Sequence, residues 1–282
     1  MNLRLSRNLI VQSAGGQNLM LNQLVCTQNI TISDFSPDTE AAFVNKHQHT
    51  ISISELGAIL VVAPHPDDET LGCGGLIAMC ANAQQPVSIL AMTNGEASHP
   101  GDQTWRHKLG QIRQHEQLGA LKILGICNPD IISLELPDGG LDQLSDEHRR
   151  EVSAFIKACV IARNIETFFL PAIDDCHDDH QATARLLAGI VLNCPIKYVF
   201  GYQIWPPAIR PAQVSNNEMA YVLDISNVLT QKTQAIQEHR SQLGTVEPGH
   251  TEGFRMPQVL LDEKLQAHES YALIQNITAW SG

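Results

Sequence analysis

The sequence predicts an α/β fold: a doubly wound, mostly parallel sheet with helices on both faces, preceded by an N-terminal extension. Three observations predict it. From residue 58 onward, short apolar runs alternate with longer stretches of helical pattern. The short runs are apolar throughout rather than at every second residue, as befits strands covered on both faces. Their β-α-β-α order calls for right-handed crossovers, which build a Rossmann-like layer.

The elements follow in order. "AILVVAP" (58–64) reads as the first strand and "LGCGGLIAMCANAQQ" (71–85) as the helix after it. "VSILAMT" (87–93) is a strand leading to a helix over 104–125, and "DIISLEL" (130–136) a strand leading to a helix over 145–163. "ETFFLPA" (166–172) precedes a helix over 178–194, and "KYVFGYQIW" (197–205) is the next strand. Residues 1–57 are polar with only short alternating runs, and read as an extension with a few strands that packs on the 58–282 domain, or as a partly flexible arm. The Pro- and Asn-rich 206–219 and the stretch 244–257 read as loops long enough to form a rim or lid.

At 282 residues with 43% apolar side chains the chain can bury a sizeable core. Lys+Arg 18 against Asp+Glu 30 leaves a net charge of −12, which argues against nucleic acid or an anionic membrane as partner. No stretch approaches the length of a membrane span, and Gln, Ser and Asn interrupt the N-terminus where a signal peptide needs an apolar run. Seven cysteines (Cys26, Cys73, Cys80, Cys127, Cys159, Cys176, Cys194), odd in number and without a C-x-x-C pair, read as reduced core residues of a cytoplasmic protein.

In open α/β sheets ligands bind outside the carboxyl ends of the strands. There this chain places His65, Asp67, Asp68 and Glu69 after the first strand, "TNGE" (93–96) after the second, "LPDGGL" (136–141) after the third and "AIDDCHDDH" (172–180) after the fourth. Burying so much charge is costly unless it is paired or binds a metal. His65 and Asp68 stand three residues apart, as do His177 and His180, so each pair shares one side of a helical turn. Two histidines and one carboxylate with an open position form the ligand set of catalytic zinc sites, and also suit Fe(II). Asp67, beside a ligand but pointing elsewhere, is free to take a proton from bound water. The bland alternative is a pair of solvated acidic turns, with aspartates capping helices.

"APHPDDETLGCGG" resembles the signature of the LmbE-like, PIG-L-type N-acetylglucosaminyl deacetylases. The likeness continues in order through "TNGE", "RQHEQLGALKILG" (113–125), "LPDGGL", "HDDHQATARL" (177–186), "DISNVLTQKTQAIQEHRSQ" (224–242) and "ESYAL" (269–273), and leaves out residues 1–57. It implies a zinc-dependent hydrolase that removes the N-acetyl group from a glucosamine-containing small molecule. It places the metal ligands on His65, Asp68 and His180, the general base on Asp67, and on His177 a histidine that, protonated, polarises the carbonyl and its oxyanion or protonates the leaving amine. It puts substrate contacts on Arg113, Asp138 and, more weakly, Glu96. The family's His-Pro-Asp-His reads His177-Asp178-Asp179-His180 here, so a proline is lost while both histidines stay. A homo-oligomer is compatible with all of this.

Each of these residues has a plainer reading. Arg113 and Glu116 make an ordinary helix pair, Asp138 before Gly139-Gly140 is a good turn residue, Glu96 could cap a helix, and His239 shares a packed helix face with Lys232 and Ile236. Three rival functions remain. A non-catalytic sugar-binding protein on the same scaffold would hold metal without releasing acetate. An Fe(II)/2-oxoglutarate oxygenase fits "HPD" but needs many alternating strands. A dinucleotide binder fits "GCGG" but lacks the full G-x-G-x-x-G.

Overall fold

The protein is described by a computed structural model covering residues 49–206, 219–246 and 252–280. Most of the expected extension, 1–57, and most of the expected 206–219 loop lie outside the described residues, as does the middle of 244–257. Of the extension, β1 (His49–Thr50) pairs in parallel with β7 (Met219–Asp224), and Ile51 and Leu56 are buried.

The remaining strands are β2 (Ala58–Ala63), β3 (Val87–Thr93), β4 (Asp130–Leu136), β5 (Ile165–Pro171), β6 (Tyr198–Tyr202) and β8 (His268–Leu273). Their order is β1-β7-β8-β6-β5-β2-β3-β4. All neighbours run parallel except β8, which is wedged antiparallel between β6 and β7. "ESYAL" was legible as a strand, but its insertion between two others was not. The helices are α1 (Asp68–Asn82), α2 (Gln103–Ile123), α3 (Asp146–Ala162), α4 (Asp178–Val191), α5 (Leu229–Glu238) and α6 (Gln258–Lys264).

Strand periodicity splits the core into two layers. Ile59, Val61 and Ala63 of β2 face a cluster with α1, α2 and α5, whereas Leu60 and Val62 face one with α3 and α4. Each fully buried aliphatic side chain here contributes about 1.5–3 kcal/mol, so both faces of β2 are strongly held. Helix starts follow local chemistry: Asp102 caps α2 by accepting from Trp105 N–H (2.9 Å), and Ser145 caps α3 by accepting from His148 N–H (3.2 Å). Of the cysteines described, Cys73 and Cys80 are buried, but Cys127 is exposed and the others only partly covered, which corrects the all-core reading.

The glycines of "GCGG" serve packing. A Cβ on Gly72 would lie 2.4 Å from the Tyr202 ring, one on Gly75 2.4 Å from Ile225 Cγ2, and one on Gly74 3.1 Å from Lys232. Their absence lets β6, α5 and the turn after β7 close on α1. The same contact carries a buried charge pair: Lys232 Nζ donates to Glu269 (2.8 Å), which also accepts from Gly75 N–H (2.7 Å), Leu76 N–H (2.8 Å) and Tyr271 Oη–H (2.7 Å). A strand at the far end of the chain is thereby bonded to the middle of α1.

The order β4-β3-β2-β5-β6 means that the chain leaves β2 toward one side, then returns to continue on the other. The crevice between β2 and β5 is the topological switch point where such sheets bind ligands. Among the described residues no helix is long and apolar enough to cross a membrane.

Candidate metal and catalytic centre

His65 to Asp68 follow β2, and His177 to His180 precede and open α4 after β5, so the switch point brings together the two segments that sequence separates by more than a hundred residues. Asp68 Oδ2 lies 3.2 Å from His65 Nδ1 and 3.2 Å from His180 Nε2. Its position is fixed by His65 N–H, which donates to the same oxygen (2.9 Å). Ligands about 2.1 Å from one tetrahedral ion stand about 3.4 Å from each other, so these separations suit a shared cation. Both His180 ring nitrogens are fully buried near carboxylates, yet neither contact is aligned as a hydrogen bond. A metal ion on Nε2 would satisfy what the protein alone does not.

Each imidazole has a carboxylate on its other nitrogen, the arrangement that orients metal-bound histidines. His65 Nε2 is 3.2 Å from both Asp138 Oδ1 and Asp179 Oδ2. His180 Nδ1 is 3.2 Å from Asp175 Oδ2. Asp179 is itself held by the N–H groups of Gly139 (2.7 Å) and Leu141 (3.1 Å), and Asp175 by those of His177 (3.0 Å), Ile204 (3.1 Å) and Trp205 (3.0 Å). His65, His177 and Asp179 form a second group with ligand atoms close together. It shares His65 with the first, and its aspartate is already bonded twice to the main chain.

The charge balance points the same way. Burial pushes the two ligand imidazoles toward neutrality, but the carboxylates around them win: the His65 pKa is well above its usual value, and that of His180 is raised to about 10. The Asp68 carboxyl, despite burial, is held well below the ordinary range by His180 and His65. A divalent cation held there would supply the positive charge that this cluster favours.

Asp67 precedes α1 with φ 153°, a sparsely populated backbone region of the kind that costs about 1–3 kcal/mol and gathers at functional sites, and its side chain makes no capping bond. Burial pushes its carboxyl up to about 7, against the pull of Arg113. Arg113 Nη2 donates to Asp67 Oδ1 (3.1 Å) and to Pro66 O (3.1 Å), and Nη1 donates to Gly95 O (2.9 Å). The guanidinium is 4% exposed and backs Asp67. Asp138 turns one oxygen to His65 and the other to Ala97 N–H (2.7 Å), and Glu96 accepts from Asp138 N–H (3.3 Å). All three expected substrate contacts thus make internal bonds around the site.

His177 accepts from Asp179 N–H at Nδ1 (3.2 Å), so its proton resides on Nε2. Burial and the neighbouring His65 and His180 push its pKa down to about 3. With Nδ1 accepting, Nε2 is the ring atom left to carry an N–H toward the site. Sequence reasoning gave Asp175, Asp179 and Glu69 no individual role. The signal for the two aspartates was the density of acids in "AIDDCHDDH". Glu69, fully buried, accepts from Gln117 (3.1 Å) and Thr70 (3.1 Å), and Thr70 Oγ1 meets His239 Nε2 (3.1 Å), tying α1 to α2 and to the end of α5.

Residues 60–191 match the PIG-L family, described as GlcNAc-PI de-N-acetylase. A relative from Bacillus subtilis (strain 168), a probable N-acetyl-alpha-D-glucosaminyl L-malate deacetylase 2, is 31% identical over 219 residues, covering 75% of this chain and 90% of its own. Among solved structures, N,N'-diacetylchitobiose deacetylase from Pyrococcus horikoshii superimposes with a TM-score of 0.58 at 19% identity, over 79% of this chain and 85% of that one. A Pseudomonas putida enzyme, 4-carboxy-2-hydroxymuconate hydratase, gives a TM-score of 0.50 at 16% identity, over 77% and 95% of the two chains. The fold therefore carries more than one chemistry, and function has to be argued from the site.

Proposed function

This chain belongs to the PIG-L (LmbE-like) family of N-acetylglucosaminyl deacetylases, and from that membership we propose that it is a divalent-metal-dependent hydrolase removing the acetyl group from a small glucosamine-containing substrate. One observation carries the proposal: His65 Nδ1 and His180 Nε2 each stand 3.2 Å from Asp68 Oδ2, next to a buried Asp67 held by Arg113.

His65, Asp68 and His180 would hold the cation, zinc by donor type, with Fe(II) also accommodated. When bound, such an ion lowers the pKa of a water and polarises a carbonyl. Asp67, with a pKa near neutrality, is suited to take a proton from water attacking the acetyl carbon and to return one to the leaving nitrogen. Arg113 fixes the Asp67 carboxylate and limits its basicity. His177 offers its Nε2–H to the oxygen that gains charge, a contact worth most in a site arranged before reaction. Asp138 and Asp179 orient His65, and Asp175 orients His180. The partner is a small amino sugar, in line with the relatives' names, and the cysteine usage fits a cytoplasmic setting.

The test is acetate release from a panel of N-acetylated amino sugars, with and without chelator and after zinc or Fe(II) is returned. Release that is lost on chelation and restored by metal is expected. Asp67→Ala should keep the metal and lose release. Tight metal binding with no acetate from any substrate would favour a non-catalytic sugar binder on this scaffold.

A further inference from the structure

Two aromatic residues outside every motif used so far stand beside the site. Trp205 follows β6, and its N–H donates to the Asp175 oxygen (3.0 Å) that faces His180 Nδ1 (3.2 Å). Phe254 N–H donates to Ser98 O (2.9 Å), in the loop after β3, next to Ala97, which holds Asp138. The two rings meet edge to face, with centroids 6.0 Å apart at 81°. The strands run β6-β5-β2-β3, so three spacings of about 4.8 Å, about 14 Å in all, separate the two anchor points. Phe254 and Trp205, both packed on the cluster shared by α1, α2 and α5, link the loops after β3 and β6.

The segment is fixed there. Met256 N–H donates to Gln242 O (2.8 Å), and Gln242 Nε2 reaches Ser98 Oγ (3.3 Å). Gly253 lies so close over the His99 imidazole that a Cβ would stand 2.0 Å from its Cδ2, so glycine alone allows this approach. Trp205 is buried, while Phe254 is half-buried and keeps part of its surface open.

Two polar contacts separate the Trp205 main chain from a ligating imidazole. Trp205 therefore stands behind the ligand set, with the Phe254 ring against its own. Aromatic walls with a few polar groups are what bind small-molecule ligands.

We propose that Phe254, backed by Trp205, is a specificity-determining residue that packs against a second ring, sugar or aryl, glycosidically attached to the N-acetylated sugar. The inference rests on the deacetylase reading above. The test compares acetate release from methyl and phenyl N-acetylglucosaminides by the full chain, by Phe254→Ala and Phe254→Leu, and by the ring-retaining Phe254→Tyr. Wild type prefers the phenyl glycoside in kcat/KM. Either ringless variant lowers that preference about three- to tenfold, the range of an aromatic contact, through KM rather than kcat, and Tyr restores it. An unchanged preference, or none in wild type, overturns the proposal. Tryptophan emission titrated with phenyl glucosaminide, the amine product, is read without turnover. A wild type that releases no acetate sinks the deacetylase reading, and equal dissociation constants for wild type and Phe254→Ala in that titration separately overturn the ring contact.

Discussion

Replacing Lys232 by Met tests the bond between the C-terminal strand and the helix that opens with Asp68. The ammonium and the Glu269 carboxylate are 2.8 Å apart, with side chains 1% and 3% exposed. Removing one partner of a buried pair costs about 3–5 kcal/mol, because the other charge stays behind without compensation. In Lys232→Met the carboxylate keeps three donors, the N–H groups of Gly75 and Leu76 and the Tyr271 hydroxyl, and Met conserves much of the stem volume. That places the expected loss at the lower end, about 3 kcal/mol. Glu269→Ala leaves the ammonium with no carboxylate and frees two main-chain donors on α1, so it should cost more. Lys232→Met combined with Glu269→Gln removes both charges and should be less destabilising than the sum of the single changes by more than about 1 kcal/mol. Urea unfolding of chelated protein, read as midpoint at constant slope, measures each variant without a contribution from metal. A loss under about 1 kcal/mol for Lys232→Met, or strict additivity in the double variant, would refute the assignment of a coupled buried pair.

Arg113 lowers the Asp67 pKa, so Arg113→Met should raise it and move the acid limb of kcat/KM upward by about 1–3 pH units, whereas Arg113→Lys should move it less; a limb that stays put contradicts Arg113 as the residue that sets the base. Asp175→Asn, which replaces the carboxylate facing His180 Nδ1, should weaken metal binding about 10–100-fold in a competition with a chelating dye, and unaltered affinity would remove Asp175 from the ligand support. Two glycines in helices should respond in opposite directions to Ala. Gly75→Ala drives a Cβ into Ile225 and should cost about 1–3 kcal/mol or more. Gly189→Ala, with nothing within 4 Å of the added carbon, should gain about 0.5–1 kcal/mol, both by thermal or urea unfolding.

How much of this was legible in the sequence differs by residue. The apolar runs of β2, β3 and β5 announced strands buried on both faces, and the rule about carboxyl ends then located His65, Asp68, His177 and His180. The α1 start was read three residues late, because the acids that open it look like a turn until Asp67 is seen preceding it in an unusual backbone conformation. Arg113 and Asp138 were placed at the site, but their bonds to Asp67 and His65 were not read. A motif shows which residue types stand at a strand end, while the direction a side chain takes depends on partners far along the chain, here Asp67 and His65. The same limit hid Asp175, whose roles are main-chain bonds to Ile204 and Trp205 and a face for His180. The antiparallel insertion of β8 likewise depends on Lys232 and α1, which no local pattern near "ESYAL" contains.

Bound metal, counted by elemental analysis in the wild-type chain and in His180→Ala purified side by side, bears most directly on the whole account. About one equivalent of zinc or iron in the wild type, reduced to background in the variant while its circular dichroism is unchanged, is the predicted result for a single three-ligand site. Equal metal in both, or none in a wild type that still releases acetate, would contradict it.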